Sequence, residues 1–161
     1  MLNDKTYSEA NGLARTRQEK NLFLDELNLL SDALYASQPG AFEDALNKQV
    51  RLKTANLIHK LLAGGEEGRT VVDNLRKFIE TAKTVKITLA FEPREETLDK
   101  LFAWVIKNLG TPIIMDISFD ESIVGGAIVV IDGKYRDLSL KKRISELFQN
   151  KEMTFNKLLA Q

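Results

Sequence analysis

Residues 120–148 read DESIVGGAIVVIDGKYRDLSLKKRISELF, from Asp120 to Phe148. The run Ile123, Val124, Ala127, Ile128, Val129, Val130 and Ile131 has the β-branched density of a buried strand. Gly125 and Gly126 sit inside it, where strand propensity disfavours them; such glycines mark a bulge or the close approach of another backbone. Asp132-Gly133 then supplies the two positive φ angles of a type I′ hairpin. The chain returns through Tyr135. Asp137 or Ser139 is placed to cap a helix that carries Leu140, Ile144, Leu147 and Phe148 on one face.

The period of apolar residues changes near Thr84. From there Val85, Ile87, Leu89 and Phe91 alternate with Lys86, Thr88 and Ala90, a half-buried strand. Pro93 suits the first turn of the next helix, whose stripe is Leu98, Leu101, Phe102, Val105, Ile106 and Leu109. Gly110 ends that helix, and Ile113, Met115, Ile117 and Phe119 alternate as a second strand. Strand, helix, strand in this order implies a parallel pair with a right-handed crossover. The hairpin adds antiparallel pairing, and the last helix is expected to cover one face.

Before Thr84 the period is helical. Phe23, Leu27, Leu30 and Leu34 line one helix, broken by Gln38-Pro39-Gly40. Phe42, Leu46, Val50, Leu57, Ile58 and Leu61 line a second, closed by Gly64-Gly65. Val72, Leu75, Ile79 and Ala82 line a third, with Thr70 and Asp73 as a variant capping box. The reading is therefore α+β: a helical neck of three helices followed by a small β-α-β-β-β-α domain with a mixed sheet. Expected boundaries are a mobile polar arm over 1–18, the helical domain over 19–83, the C-terminal domain over 84–150 and a tail over 151–161.

Composition narrows the function classes. The 161 residues are 43% hydrophobic and 29% charged, as in a folded globular chain. Twenty-three basic residues balance 23 acidic ones, so no global field favours nucleic acid or anionic lipid. Without cysteine there is no disulfide, thiol chemistry or cysteine-held metal. The opening residues lack the apolar segment of a secretory signal. The run Ile123–Ile131 falls far short of the roughly 20 residues a membrane span needs.

Little in the chain suggests catalysis. Gly64-Gly65-Glu66-Glu67-Gly68-Arg69-Thr70 loosely resembles a phosphate-binding loop. However, the glycine spacing is short, arginine replaces lysine, a helix precedes it and two glutamates stand where phosphate would lie. Asp116, Asp120 and Glu121 read as an outward strand residue plus a polar turn. His59 has no second histidine to share a metal and is expected on a helix surface. Trp104 is either a flanking core residue or an exposed anchor of the kind enriched at interfaces. Lys141, Lys142 and Arg143 fall in the first turn of the last helix, where the helix dipole disfavours cations. They are either a partner contact or a solvated face offset by Asp137.

The ordered set Asp120, Ser122, Gly125, Gly126, Asp137, Ser139 and Arg143, in the pattern Asp-x-Ser-Ile-Val-Gly-Gly, apolar strand, turn, Asp-x-Ser-x-x-x-Arg, resembles one family. It is similar to the C-terminal domain of the delta subunit of F-type ATP synthases, whose mitochondrial counterpart is the oligomycin-sensitivity-conferring protein. Agreement runs back to about Val71. The resemblance implies a non-catalytic stator subunit without cofactor or metal, supporting proton-driven ATP synthesis. It also implies the b subunit of the peripheral stalk as partner, with the N-termini of the alpha subunits as a second, at the cytoplasmic side of a bacterial inner membrane. No nucleic acid and no direct membrane insertion are implied. Lys141, Lys142, Arg143 and Trp104 become the candidate partner contacts. Family members carry six N-terminal helices opening with an aromatic- and alanine-rich one; here three helices are read, and Tyr7, Ala10 and Ala14 are too sparse to match that opening. The alternatives are an unrelated scaffold module of similar fold, or a small enzyme using Asp116, Asp120 and Lys141.

Overall fold

The computed structural model describes residues 4–36 and 38–147. Among them five helices precede the first strand: α1 (Asp4–Gly12), α2 (Arg17–Tyr35), α3 (Ala41–Lys48), α4 (Leu52–Ala63) and α5 (Gly68–Glu80). Then come β1 (Lys83–Leu89), α6 (Glu95–Leu109), β2 (Ile113–Phe119), a 3-10 turn (Glu121–Ile123), β3 (Ala127–Ile131) and β4 (Lys134–Asp137). A last helix, α7, occupies residues 140–147. Strand, helix, strand, strand, strand, helix is the order read from sequence.

Two helices more than expected are found in the neck, each for a physical reason. The period over Phe42–Leu61 runs on without a break, yet the helix stops at Lys48 and restarts at Leu52. Glu26, buried in α2, accepts the Arg51 backbone N–H at 2.8 Å, which a continuous helix would have given to its own carbonyl. The same carboxylate takes Arg51 Nε at 2.8 Å, Arg51 Nη2 at 2.9 Å and the Thr54 hydroxyl at 2.7 Å. A tertiary contact thus overrides local periodicity.

The polar arm is also corrected. Residues 4–12 form α1, and Ala10, Asn11 and Ala14 are buried. Asn11 donates Nδ2–H to the Ile113 carbonyl at 2.7 Å and accepts the Ile113 N–H at 3.0 Å, closing the edge of β2. The Met115 N–H reaches Arg15 O at 2.8 Å, and Thr16 bridges Met115 in parallel. Tyr7, judged too sparse a signal, stacks on Phe78 with ring centroids 4.4 Å apart. Thr16 then caps α2, accepting the Glu19 N–H at 3.2 Å, while Glu19 accepts the Arg15 N–H at 2.9 Å. Smaller corrections follow the same pattern. The first residue of α5 is Gly68 after Glu67, so Thr70 lies inside the helix and does not cap it. Arg94, not Pro93, opens α6, its carbonyl accepting from Thr97 and Leu98.

Phe23, Leu27, Leu30, Leu46, Ile58, Leu75 and Ile79 make the core of the helices, and Ile114 of β2 belongs to it. The sheet is mixed, in the order β2-β1-β3-β4. β1 and β3 are antiparallel with Ile87 opposite Val129, and β3 and β4 antiparallel with Ile131 opposite Lys134. Asp132 (φ 47°) and Gly133 (φ 74°) make the hairpin tip, as the sequence predicts.

The chain groups into two compact units that do not follow one cut in sequence. One comprises the chain through Thr84 with Leu101–Met115; the other comprises Val85–Lys100 with the chain from Asp116 onward. Each of β1, α6 and β2 changes unit along its length. The sequence boundary near Thr84 marks only the first of these crossings.

Candidate partner-docking site

The glycine pair lies before β3, not within it. Asp120 caps the 3-10 turn by accepting the Ser122 N–H at 2.9 Å, Val124 takes φ 66° and Gly126 takes φ 80°. The chain therefore turns sharply where an unbroken strand from Ile123 was expected. A Cβ on Gly126 would stand 2.5 Å from Leu138 O and 3.2 Å from Ser139 Cα, both backbone atoms that cannot rotate away. The close backbone approach anticipated for the pair is real at this position.

Asp137 repeats the geometry of Asp120 at the start of α7. Its Oδ1 accepts the Ser139 N–H at 2.9 Å, and Ser139 Oγ accepts the Lys142 N–H at 3.2 Å. Leu138 N–H bonds Ala127 O at 2.9 Å and Leu140 N–H bonds Gly125 O at 2.8 Å. All of Asp120, Ser122, Gly125, Gly126, Asp137 and Ser139 thus work on the backbone; four of them converge where α7 begins. Ser139 is buried although it is polar, which its hydrogen bonds permit. Hydrogen bonds from the Ser122 side chain and backbone hold the Asp120 carboxyl below the usual range, with a smaller pull from Lys141. Hydrogen bonds from Ser139 do the same to Asp137, with Lys142 contributing less.

Beyond its first turn, α7 does not bury its apolar face. Residues 140–147 are all exposed, with Leu140 at 44%, Ile144 at 40% and Leu147 at 63%. The expectation that this helix covers the sheet is corrected, and Phe148 lies outside the described residues. A cleft of about 590 Å³ opens between Lys141, Lys142, Ser145 and Glu146 of α7 and Ile123, Ile128 and Tyr135. Asp120 and Asp137 line it too, so the first two lysines have acidic neighbours within their own unit. This explains how the dipole penalty at that helix start is offset. Lys142 also reaches Glu146 at 3.8 Å along the helix.

Trp104, His59 and the Gly64–Thr70 segment belong to the other unit. Trp104 is 49% exposed on α6, which decides against a core role. His59 is exposed and bonded to Asn47 Oδ1 at 3.2 Å. The Gly64–Thr70 segment closes one helix and opens the next. Asp120 and Lys141 line the cleft, whereas Asp116 is half-buried in β2. Among the described residues no cluster of three or more metal-ligating side chains occurs, and no helix is long and apolar enough to cross a membrane. Val124 was missed as a surface residue, because its type and its place in an apolar run both signal a strand interior.

Residues 37–150 match the family model of the ATP synthase delta (OSCP) subunit. ATP synthase subunit delta of Persephonella marina is 36% identical over 107 residues, covering 66% of this chain and 55% of that protein. ATP synthase subunit delta of Nitrobacter winogradskyi is 28% identical over 100 residues, 58% of this chain and 53% of that protein. The chain therefore spans about half the length of the curated relatives it matches. A chain in a cryo-EM structure of the Toxoplasma gondii mitochondrial ATP synthase hexamer is loosely similar, with TM-score 0.39 and 17% identity over 92% of this chain and 97% of its own. Since the family model spans well over half of its residues, the chain belongs to the ATP synthase delta (OSCP) subunit family.

Proposed function

We propose that this protein is a non-catalytic stator subunit of an F-type ATP synthase, tying the catalytic head to the peripheral stalk at the cytoplasmic side of a bacterial inner membrane. Family membership over residues 37–150 carries this reading, and that span includes the whole α7 site. In this role the protein supports proton-driven ATP synthesis by resisting rotation of the head. Its chemistry is then apolar burial and charge complementarity across interfaces.

The partner of the C-terminal region is the distal end of the b stalk, met by the Leu140, Ile144 and Leu147 face and steered by Lys141, Lys142 and Arg143. Trp104 is offered as a further anchor, and the helical region as the site for the N-termini of the alpha subunits. An exposed apolar row beside cations is what an amphipathic helix of acidic charge would complement. Titration calorimetry of the full chain against a peptide from the C-terminal end of the cognate b stalk tests the proposal. Saturable one-to-one binding with a negative heat-capacity change is expected. Absence of binding at high micromolar concentration would remove the stator assignment.

A further inference from the structure

Among the described residues, helix α7 is fixed at its N-terminal end. Three backbone N–H groups in succession fix its entry: Leu138 to Ala127 O, Ser139 to Asp137 Oδ1 and Leu140 to Gly125 O. After that the helix stands away from β3 and β4 across an open cleft, and no residue from 140 to 147 is buried. Eight helical residues extend about 12 Å, so a tilt of about 10° at the base moves the far end by roughly 2 Å. The direction of the exposed face is therefore set at the base.

Two glycines allow the base to be probed separately from backbone strain. Gly126 (φ +80°) and Gly133 (φ +74°) share the left-handed conformation that side chains disfavour. A Cβ at Gly133 meets nothing within 4 Å, whereas at Gly126 it is driven into the backbone of Leu138 and Ser139. Only Gly126 couples conformation to the segment from which α7 springs.

We propose that Gly126, Asp137 and Ser139 are positioning residues: they form a rigid mount that aims α7 and presents its Leu140–Ile144–Leu147 face for docking. That the docked partner is a stalk helix rests on the proposed function; the mount itself does not. The mount fixes the helix before any partner arrives, so binding does not have to spend free energy ordering it. It also gives the caps at Asp137 and Ser139 a purpose beyond local stability.

The test compares amide hydrogen exchange and peptide binding in the full chain and its variants. In Gly126→Ala, exchange at Leu140, Lys142 and Arg143 should rise at least tenfold more than at Val129 in β3. Binding to the peptide from the C-terminal end of the b stalk should weaken at least fivefold. Gly133→Ala should spread its smaller effect over the hairpin and leave binding within twofold. Asp137→Ala should behave like Gly126→Ala, and Asp137→Asn, which keeps the acceptor for Ser139 N–H, should restore both readouts. The Asp137 pair decides the matter if Gly126→Ala does not fold. Equal behaviour of the two glycine variants, or of the two Asp137 variants, would overturn the mount. If the parent protein does not bind the peptide, the stator reading fails while the exchange measurements still decide the mount.

Discussion

The neck and the C-terminal end of this chain use the same residue types in opposite ways. In the helices up to Glu80 most leucines, isoleucines and phenylalanines go inward, with Leu22 and Leu52 as exposed exceptions, and the buried polar groups Asn11, Glu26 and Thr54 are hydrogen-bonded to one another or to backbone. In α7 the leucines and isoleucine face out, and the polar residues Asp137 and Ser139 serve the backbone at its base. An interior that is closed and largely hydrogen-bonded (Arg76 Nε is a buried side-chain atom without a partner among the described residues) resists change, because each deletion leaves a cavity or an orphaned group. A helix whose apolar face is uncovered contributes little to its own unit. What is inexpensive for folding there is available for association.

The most direct way to break this contrast is to truncate one apolar side chain from each region. Phe23→Ala removes a fully buried ring and should destabilise by about 3–5 kcal/mol, lowering the thermal midpoint by roughly 10 °C or more. Leu147→Ala, at a position 63% exposed, should change stability by no more than about 0.5 kcal/mol. Chemical denaturation of both variants measures this. A Leu147→Ala loss above about 1.5 kcal/mol, the low end for burying a leucine side chain, would mean that α7 is packed in solution and the contrast is wrong.

A smaller effect is expected at the polar centre of the neck. Burial alone would raise the Glu26 carboxyl, but hydrogen bonds from Arg51 and Thr54 more than offset it, so the group sits below its ordinary value. A carboxyl held down in the folded state stabilises it above the ordinary glutamate range. That contribution is lost as pH falls through the folded-state value. Glu26→Ala leaves the Arg51 guanidinium and the Thr54 hydroxyl without their acceptor. Because Arg51 is about one-third exposed, the loss at pH 7 should be about 2–3 kcal/mol, just below the roughly 3–5 kcal/mol of a fully buried broken pair. Urea midpoints from pH 7 to pH 3 should converge for parent and variant at the acid end. Parallel curves would show that ionisation of Glu26 is not what holds α3 and α4 apart.

How much of this was legible in the sequence follows from the range of the interactions involved. The Asp132-Gly133 tip, the Val85–Ile87 alternation and the order of elements after Thr84 are local signals, and they are seen in the fold. The break at Gln49–Arg51 has no glycine or proline to announce it, because its cause is a carboxylate 25 residues away. Asn11 is separated from Ile113 by 102 residues, so nothing in the polar stretch around it marks an edge partner for β2. Thr16-Arg17-Gln18-Glu19 did carry a capping signal that could have been read. At the proposed docking site the motif residues stand out as a linear pattern. Their backbone role, and the openness of α7, depend on what lies opposite them, which such a pattern does not contain.

The finest distinction lies within the basic run. Lys141 and Lys142 act on Asp120 and Asp137 inside their own unit, so reversing all three charges would also disturb the mount. Arg143, exposed on the same turn, offers the cleaner probe. Under the proposed function, Arg143→Glu should leave the thermal midpoint within about 2 °C, since surface changes away from special contacts are small. It should slow association with the b-stalk peptide by about threefold at low salt, and the difference should shrink as ionic strength shortens the Debye length from about 30 Å at 0.01 M to about 8 Å at 0.15 M. The dissociation rate should change less, because a rim charge steers encounter more than it holds the bound state. Stopped-flow association at several salt concentrations separates the two rates. A change confined to dissociation, with the same salt slope as the parent, would place Arg143 in the buried centre of the contact and shift the docking face around the helix toward it.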